Sequence, residues 1–166
     1  LAIKTIKTLK ELNVSKQSIT QGLSSVKWYG RNQHIQNEPL VIFDVAHNTE
    51  SMRAFLRYYT SITIKEKSYM VIAIQSRKDI SSLILQFESI FTKIICTETS
   101  GKNPMSANTL SSHFITKSKI ETIINPEEAI YSIVNKMTSN DGLVIIGSHC
   151  LGSAVSKVFN ISFEKY

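Results

Sequence analysis

The sequence predicts an α/β domain whose six-stranded sheet is mixed, mostly parallel and bounded by one antiparallel edge strand. Short apolar runs alternate with segments that repeat apolar residues at helical spacing, a pattern typical of right-handed β-α-β crossovers. The first two runs differ, because only His34 to Glu38 separate them and this is too short for a crossover. Strands are expected at residues 27–33, 40–44, 69–74, 93–97, 120–124 and 142–147.

Helices are expected between the later strands, about five in all around a Rossmann-like sheet. Asn48 or Thr49 can cap the first of them, and Asp79 precedes the second. Asn125 and Pro126 give a cap and a proline at the first helical position of another. The helical segments are residues 49–60, 80–91, 106–114, 126–138 and a last one after Ser148.

Residues 1–23 form a separate helical unit in this prediction. Ser15 is a suitable cap for a second short helix, and Gly22 would end that helix. The first helix is indicated by apolar residues at helical spacing, namely Ile3, Ile6, Leu9 and Leu12.

Composition describes one globular body without a membrane span. Of the 166 residues, 42% are hydrophobic and 19% charged, and no apolar run approaches the ~20 residues of a transmembrane helix. The chain has no signal-peptide pattern at its start. We therefore expect a cytoplasmic location and no membrane partner.

The net charge of +6 does not by itself indicate nucleic-acid binding, because the lysines are scattered and not gathered in one stripe with aromatic residues. A basic surface would also attract polyanionic small molecules such as ATP. Cys96 and Cys150 lack the paired spacing of a zinc site, so we expect buried free thiols and no metal site. His149 beside Cys150 does not indicate a nucleophile, because adjacent residues generally cannot form the required hydrogen bond.

Asp44 and His47 follow the apolar run at residues 40–43, at the place where ligands bind in an open α/β sheet. Asp44 is either a turn or cap acid or an acceptor for ribose hydroxyls. Arg31, just before this run, offers a fork of donors to a phosphate, or alternatively forms a surface ion pair with Glu38 or Glu50. All these readings stay open on the residues alone.

Two further strand ends carry polar residues. Ser148 follows Gly147 after the last strand, where its hydroxyl and backbone amides at a helix N-terminus can bind an anion. The phosphate-loop pattern fails here because Ser153 stands where the lysine would be. Lys78 lies after the third strand, either in the site or in a solvated loop. Trp28 is expected in the core or as a wall of the site.

Taken in order, these residues resemble the C-terminal domain of folylpolyglutamate synthase and dihydrofolate synthase, in the Mur ligase superfamily. That family carries Trp-Pro-Gly-Arg, then Asp-Gly-Ala-His-Asn-Pro, then Lys-Asp after a strand, and finally a Gly-Ser turn. The corresponding residues are Trp28-Tyr29-Gly30-Arg31, Asp44-Val45-Ala46-His47-Asn48-Thr49, Lys78-Asp79 and Gly147-Ser148.

The resemblance implies an ATP-dependent amide ligase that adds L-glutamate to dihydropteroate, to folylpolyglutamate or to both through an acyl phosphate. Its cofactors would be ATP and Mg²⁺, and the P-loop and magnesium ligands belong to an N-terminal ATPase domain in the family. Residues 1–26 would be the helical tail of that domain with the interdomain link. Residues 27–166 would be the C-terminal domain, monomeric and inactive alone.

The same resemblance assigns roles to residues. Arg31 would contact the ATP phosphates and stabilise charge during transfer, Asp44 would hold the ribose, and His47 would line the same cleft as a binding and catalytic residue. Ser148 and Lys78 would lie near the incoming glutamate. The alternatives are a cell-wall Mur ligase domain, although Asp-x-Ala-His-Asn favours the folate branch, and a non-catalytic nucleotide-binding or interaction module.

Overall fold

The computed structural model describes residues 2–8, 14–26, 28–62 and 66–163. The strands are β1 Gln33–Asn37, β2 Leu40–Asp44, β3 Ser68–Ile72, β4 Lys93–Cys96, β5 Ile120–Thr122 and β6 Gly142–Ile146. The α-helices within these residues are α1 Ala2–Thr8, α2 Lys16–Ser25, α3 Thr49–Ser61, α4 Ile84–Ile90, α5 Ala107–Ser112, α6 Pro126–Val134 and α7 Gly152–Phe159. Short 3-10 turns lie at Ser81–Leu83, Lys117–Lys119 and His149–Leu151.

The six strands form one sheet in the order β1-β2-β6-β3-β4-β5. Strand β1 is the antiparallel edge strand, and the other five run parallel. At the centre, Ile146 of β6 pairs with Asp44 of β2 on one side and with Ile72 of β3 on the other. The predicted mixed sheet is therefore confirmed, and the carboxyl ends of β2, β6 and β3 lie side by side.

Helices cover both faces of the sheet. Helices α3, α4 and α5 pack on one face, where Tyr59, Phe87 and Leu110 are fully buried against strand residues. Helices α6 and α7 pack on the other face through Ile130 and Val155. This double cover explains why the central strands are continuous apolar runs.

The first predicted strand was wrong in position. Strand β1 begins at Gln33, and the residues before it form a turn in which Gly30 and Asn32 have positive φ angles of 70° and 42°. The two-residue link to β2 preserves the predicted antiparallel pairing. Trp28 does not lie in the core, because its side chain is 73% exposed, and its alternative place as a wall of the site stays a prediction.

The helix caps agree with the prediction at three places. Asn48 forms a capping box with Ser51, Asn125 accepts backbone N–H groups at the start of α6, and Ser15 accepts from the N–H of Ser18. Gly22 does not end α2, which continues to Ser25.

The N-terminal helices lie apart from the core. None of the described side chains in residues 3–26 is buried. The predicted apolar positions Leu9 and Leu12 lie outside the described residues, as does the start of the predicted first strand at Lys27. No helix within the described ranges is long and apolar enough to span a membrane.

Glu88 is a buried acid that fastens the chain before β5 to α4. One carboxylate oxygen accepts the N–H groups of Ile115 and Thr116, at 2.6 and 2.9 Å, and the other accepts the hydroxyl of Thr116 at 2.8 Å. Burial alone would raise the pKa of Glu88, but these hydrogen bonds and the nearby Lys119 lower it below its ordinary value.

We predict that Glu88→Gln lowers the free energy of unfolding at neutral pH by about 1–3 kcal/mol, because an amide cannot accept all three hydrogen bonds. The pKa of Glu88 is lower in the folded state, so its contribution is present above the unfolded-state pKa and is lost as pH falls through the folded-state value. Urea unfolding at a series of pH values should therefore show that the wild-type chain and the variant differ less in free energy of unfolding as the solution becomes acidic. Glu38→Gln, in an exposed turn, is the control, and a pH-independent difference would contradict the prediction.

Candidate functional site

The Asp44 carboxylate joins the two loops that carry the predicted site residues. One oxygen accepts the N–H of Asn32 at 2.8 Å and the other accepts the N–H of Ala46 at 2.7 Å. The first bond fixes the turn that holds Arg31, and the second fixes the loop that leads to His47. Asp44 is thus the anchor of both loops.

The predicted role of Asp44 in holding the ribose stays a prediction. Its side chain is only 4% exposed, and each carboxylate oxygen already accepts a backbone N–H. Each oxygen of an ionised carboxylate has a second lone pair, so these two bonds leave acceptor capacity on Asp44. The geometry shows Asp44 as a turn acid, one of the two interpretations that the sequence left open, and the two roles do not exclude each other.

Arg31 lies at the predicted edge of the sheet with its side chain exposed. Because β1 is antiparallel, its amino end lies beside the carboxyl end of β2, where Gln33 pairs with Phe43. The ion pairs in the described part of the chain, Lys93–Glu121 and Lys157–Glu127, do not include Arg31. The alternative ion pair with Glu38 or Glu50 is therefore not formed, and the guanidinium is available to a ligand.

Arg31 also borders a groove next to the N-terminal segment. The groove has a volume of about 310 Å³. It is lined by Val26, Trp28, Tyr29, Arg31, Gln33 and His34. An exposed indole beside an exposed cation makes this a surface suited to contact with another molecule or domain.

Three of the predicted residues meet in a cavity at the carboxyl ends of β2, β3 and β6. The cavity has a volume of about 100 Å³. It is lined by His47, Gln75, Lys78, Gly147, Ser148 and His149. These residues come from the loops that follow the three central strands β2, β3 and β6. This is the crevice at which open α/β sheets bind ligands.

Gly147 allows this crevice to form. Its φ is +114°, and a Cβ placed there would lie 2.2 Å from the carbonyl oxygen of Ala73. The chain can therefore turn from β6 into the following helix while touching the end of β3. Ser148 then caps the 3-10 turn His149–Leu151 that leads into α7, because its hydroxyl accepts the N–H of Cys150 at 3.1 Å.

The ring of His47 is held in one orientation. Its Nδ1 lies 2.9 Å from the carbonyl oxygen of Val45. A carbonyl can only accept, so Nδ1 carries the hydrogen and the neutral ring keeps a lone pair on Nε2. His47 therefore offers a proton acceptor at the cavity.

Lys78 lies in a short turn after β3, and its N–H donates to the carbonyl oxygen of Gln75 at 3.0 Å. Asp79, next in the chain, accepts the N–H of Ser81, which together with a further hydrogen bond to Ser81 lowers the pKa of the Asp79 carboxyl. Thr49 donates its hydroxyl to the carbonyl oxygen of Asp79 at 2.9 Å and ties this turn to the start of α3. The loops around the cavity are thus joined to one another.

Comparison with known proteins assigns the chain to a family. Residues 30–149 match the family model described as Mur ligase, glutamate ligase domain. The chain belongs to the Mur ligase family.

Curated relatives of this Mur ligase domain include the dihydrofolate synthase/folylpolyglutamate synthase of Buchnera aphidicola subsp. Baizongia pistaciae. It is 26% identical over 141 residues, which cover 82% of the chain and 32% of the relative. The chain thus spans about a third of that relative's length, and the resemblance to the C-terminal domain of these synthases is confirmed.

Solved structures agree with this assignment. The bifunctional folylpolyglutamate synthase/dihydrofolate synthase of Yersinia pestis, complexed with AMPPNP and a Mn ion, superposes with a TM-score of 0.81 at 25% identity, covering 91% of this chain and 36% of that one. Another bifunctional synthase, with Mn, AMPPNP and L-glutamate bound, gives a TM-score of 0.80 at 26% identity and the same coverage.

One departure from the family motif, at Val45, is accommodated because Gly30 leaves room for the larger side chain. Val45 stands where the Mur ligase motif has a glycine, and Val45 is not among the residues with positive φ. Its side chain fills the space beside Gly30, where an added Cβ would lie 2.6 Å from Cγ1 of Val45. The N–H of Val45 donates to the carbonyl oxygen of Gly30 at 2.8 Å, so the two loops pack as a unit.

Sequence reasoning missed two cavity residues and misjudged a cysteine. Gln75 and His149 line the cavity although neither was singled out as a ligand-binding residue. His149 Nε2 lies 3.6 Å from the sulfur of Cys150, so these adjacent side chains do make contact. Cys150 is partly exposed, contrary to expectation, whereas Cys96 is buried and burial raises its pKa to about 12.

We predict that Asp44→Asn loosens both loops of this Mur ligase domain, because an amide oxygen and an NH₂ group cannot both accept backbone N–H groups. The amides of Asn32 and Ala46 should exchange with deuterium faster, and the free energy of unfolding should fall by about 1–3 kcal/mol. Amide exchange followed by NMR measures both effects. Asp79→Asn serves as the control, and unchanged exchange at Asn32 and Ala46 would refute the anchoring role.

Proposed function

We propose that this chain is the C-terminal domain of an ATP-dependent ligase that adds L-glutamate to dihydropteroate, to folylpolyglutamate or to both, and that the chain is inactive alone. The observation that carries the proposal is the convergence of His47, Lys78 and Ser148 in one cavity, with Arg31 exposed on the turn anchored by Asp44. Relatives and neighbours with that activity support it.

The proposed reaction joins a carboxylate to an amine. ATP supplies the phosphoryl group that activates the carboxylate of the pteroate or folyl substrate, and ADP leaves. The glutamate nitrogen then attacks the acyl carbon, a C–N bond forms as the C–O bond to phosphate breaks, and inorganic phosphate leaves. The amine must lose its excess protons to a base during this sequence.

Arg31 is suited to the phosphoryl-transfer step. Its guanidinium is exposed and has no ion-pair partner within the described residues, and it presents several N–H donors in fixed geometry. The turn around it is held by the bond from the Asn32 N–H to Asp44. A preorganised cation of this kind stabilises charge that develops on the phosphate oxygens.

His47 is suited to the proton transfer. The hydrogen bond to the Val45 carbonyl oxygen leaves Nε2 as the acceptor in the neutral ring. In the proposed mechanism, this nitrogen takes a proton from the glutamate amine as the C–N bond forms.

Lys78 and Ser148 are suited to hold the amino-acid substrate. Lys78 and Ser148, whose hydroxyl caps the 3-10 turn His149–Leu151, line the same cavity, and the Lys78 ammonium favours a carboxylate. The P-loop and the groups that hold Mg²⁺ belong, in this proposal, to an N-terminal ATPase domain of the parent protein. Residues 1–26 would link to that domain and residues 27–166 would form the C-terminal domain.

The proposal predicts no ADP formation when the 166-residue chain is mixed with ATP, Mg²⁺, L-glutamate and dihydropteroate or a folate, because a phosphate-binding loop is lacking. The parent protein with its ATPase domain should form ADP and a product heavier by one glutamyl residue, detected by mass spectrometry. Turnover by the chain alone would overturn its predicted inactivity. Absence of glutamylated product from the parent would instead favour a non-catalytic module.

In the parent protein, we predict that Arg31→Ala lowers kcat by about 10²–10³, the effect of removing one charge-stabilising group. His47→Ala should lower kcat by about 10²–10⁴ through loss of the base. Steady-state kinetics with ATP and glutamate varied in turn would measure both. Arg57→Ala, an exposed position on α3 outside the cavity and the groove, is the matched control. If both site variants keep the parent's kinetics, these roles are wrong.

A further inference from the structure

The turn that carries Arg31 departs from the family motif at its second residue. The N–H of Arg31 donates to the carbonyl oxygen of Trp28 at 3.2 Å, and Gly30 has a φ of 70°. This is the pattern of a type II turn, in which the third residue has positive φ and proline is favoured at the second because its ring fixes φ. The family motif has that proline, whereas this chain has Tyr29. The turn therefore lacks the restraint that a proline would give its second residue.

Hydrogen bonds from the neighbouring loop hold the later part of the turn. The carbonyl oxygen of Gly30 accepts the N–H of Val45 at 2.8 Å, and the N–H of Asn32 donates to Asp44 at 2.8 Å. These bonds act on the third residue of the turn and on the residue that follows it. A restraint that replaces proline has to act on Tyr29 itself.

The ring of Tyr29 makes such a contact with Phe163, near the other end of the chain. The two ring centroids lie 5.8 Å apart, and the ring planes meet at 70°. This edge-to-face arrangement is one of the two that aromatic pairs favour. The ring of Phe163 also lies 5.8 Å from the ring of Phe43, on strand β2. Phe163 thus connects the turn to the core.

The segment after α7, residues 160–163, holds Phe163 in place. Asn160 has a left-handed conformation with a φ of 51° and turns the chain back at the end of the helix. The N–H of Ile161 donates to the carbonyl oxygen of Ser156 at 3.0 Å, and the hydroxyl of Ser156 donates to the carbonyl oxygen of Ile161. The side chains of Ile161 and Phe163 pack against the apolar cluster under α6 and α7. These contacts fix Phe163 relative to the sheet.

We propose that Phe163 is a positioning residue for Arg31, because its ring holds Tyr29 and restrains the turn as proline does in the family motif. The restraint is a property of the fold, and its effect on catalysis rests on the proposed function. A preorganised cation loses less conformational freedom when negative charge develops beside it, so a looser turn makes Arg31 less effective. Tyr29 lines the groove that Arg31 borders, and Phe163 acts through Tyr29.

The first test is amide hydrogen exchange of the 166-residue chain, followed by NMR, with the protection of the Arg31 N–H as the readout. Phe163→Leu keeps an apolar side chain against Phe43 but removes the ring from Tyr29, and Tyr29→Ala removes the other ring. Each change should lower the protection about two- to tenfold, as for loss of one aromatic pair. The two changes together should lower it no further, because both remove the same contact.

Rescue by proline separates positioning from general destabilisation. In a chain with Phe163→Leu and Tyr29→Pro, the proline fixes φ at the second residue of the turn, so the protection of the Arg31 N–H should return to the wild-type value. The packing lost at Phe163 is still missing from that chain, so a purely structural effect would not be restored.

Phe159→Leu is the matched control. The side chain of Phe159 packs on the same apolar cluster as Phe163, and its ring forms none of the aromatic pairs found within the described residues. This variant should keep the wild-type protection of the Arg31 N–H. The inference is overturned if both single variants keep that protection, if proline does not restore it, or if the control loses as much.

The effect on catalysis is measured in the parent protein with its ATPase domain. Phe163→Leu should lower kcat about two- to tenfold and leave the KM for L-glutamate unchanged, and Tyr29→Pro in the same chain should restore kcat. Unchanged kcat in a variant with lowered protection would overturn the positioning of Arg31 for catalysis. Absence of ligation by the parent protein would reject the proposed function, and the exchange measurements would still decide whether Phe163 holds the turn.

Discussion

The Asp44 carboxylate is the group on which the geometry of the site depends. It ends a buried strand, yet both of its oxygens point back to the backbone of flanking loops, and together they fix the positions of Arg31 and His47. A buried carboxylate is costly unless its acceptors are satisfied, so these two hydrogen bonds stabilise the fold and order the site at once. The acid acts on function through the two loops that it holds.

The central strand β6 supplies the second constraint. It lies between β2 and β3, and its end turns sharply at Gly147 because only a residue without Cβ can approach Ala73 so closely. The loops after three neighbouring strands therefore border one small cavity. The sheet determines where the cavity lies, and the residues after each strand determine that it favours anions.

The fold was predictable because its signals are strong and local. Apolar runs gave five of the six strands near their observed places, and Asn48 and Asn125 marked helix starts correctly. The edge strand β1 was misplaced because its polar sequence has no clear alternation. The burial of Asp44 and the cavity positions of Gln75 and His149 were not predictable, because they depend on backbone contacts between loops that are distant in the chain.

The proposed division of labour between two domains has an electrostatic reason. Arg31 is exposed in this domain, where water weakens its attraction for a phosphate at 4 Å to about 1 kcal/mol, whereas at an effective dielectric constant of 20 the same pair gains about 4 kcal/mol. Closure of a second domain over Trp28 and the neighbouring groove would exclude that water. The cations are thus already positioned in the single domain, and their attraction for a phosphate would become strong only in a closed cleft.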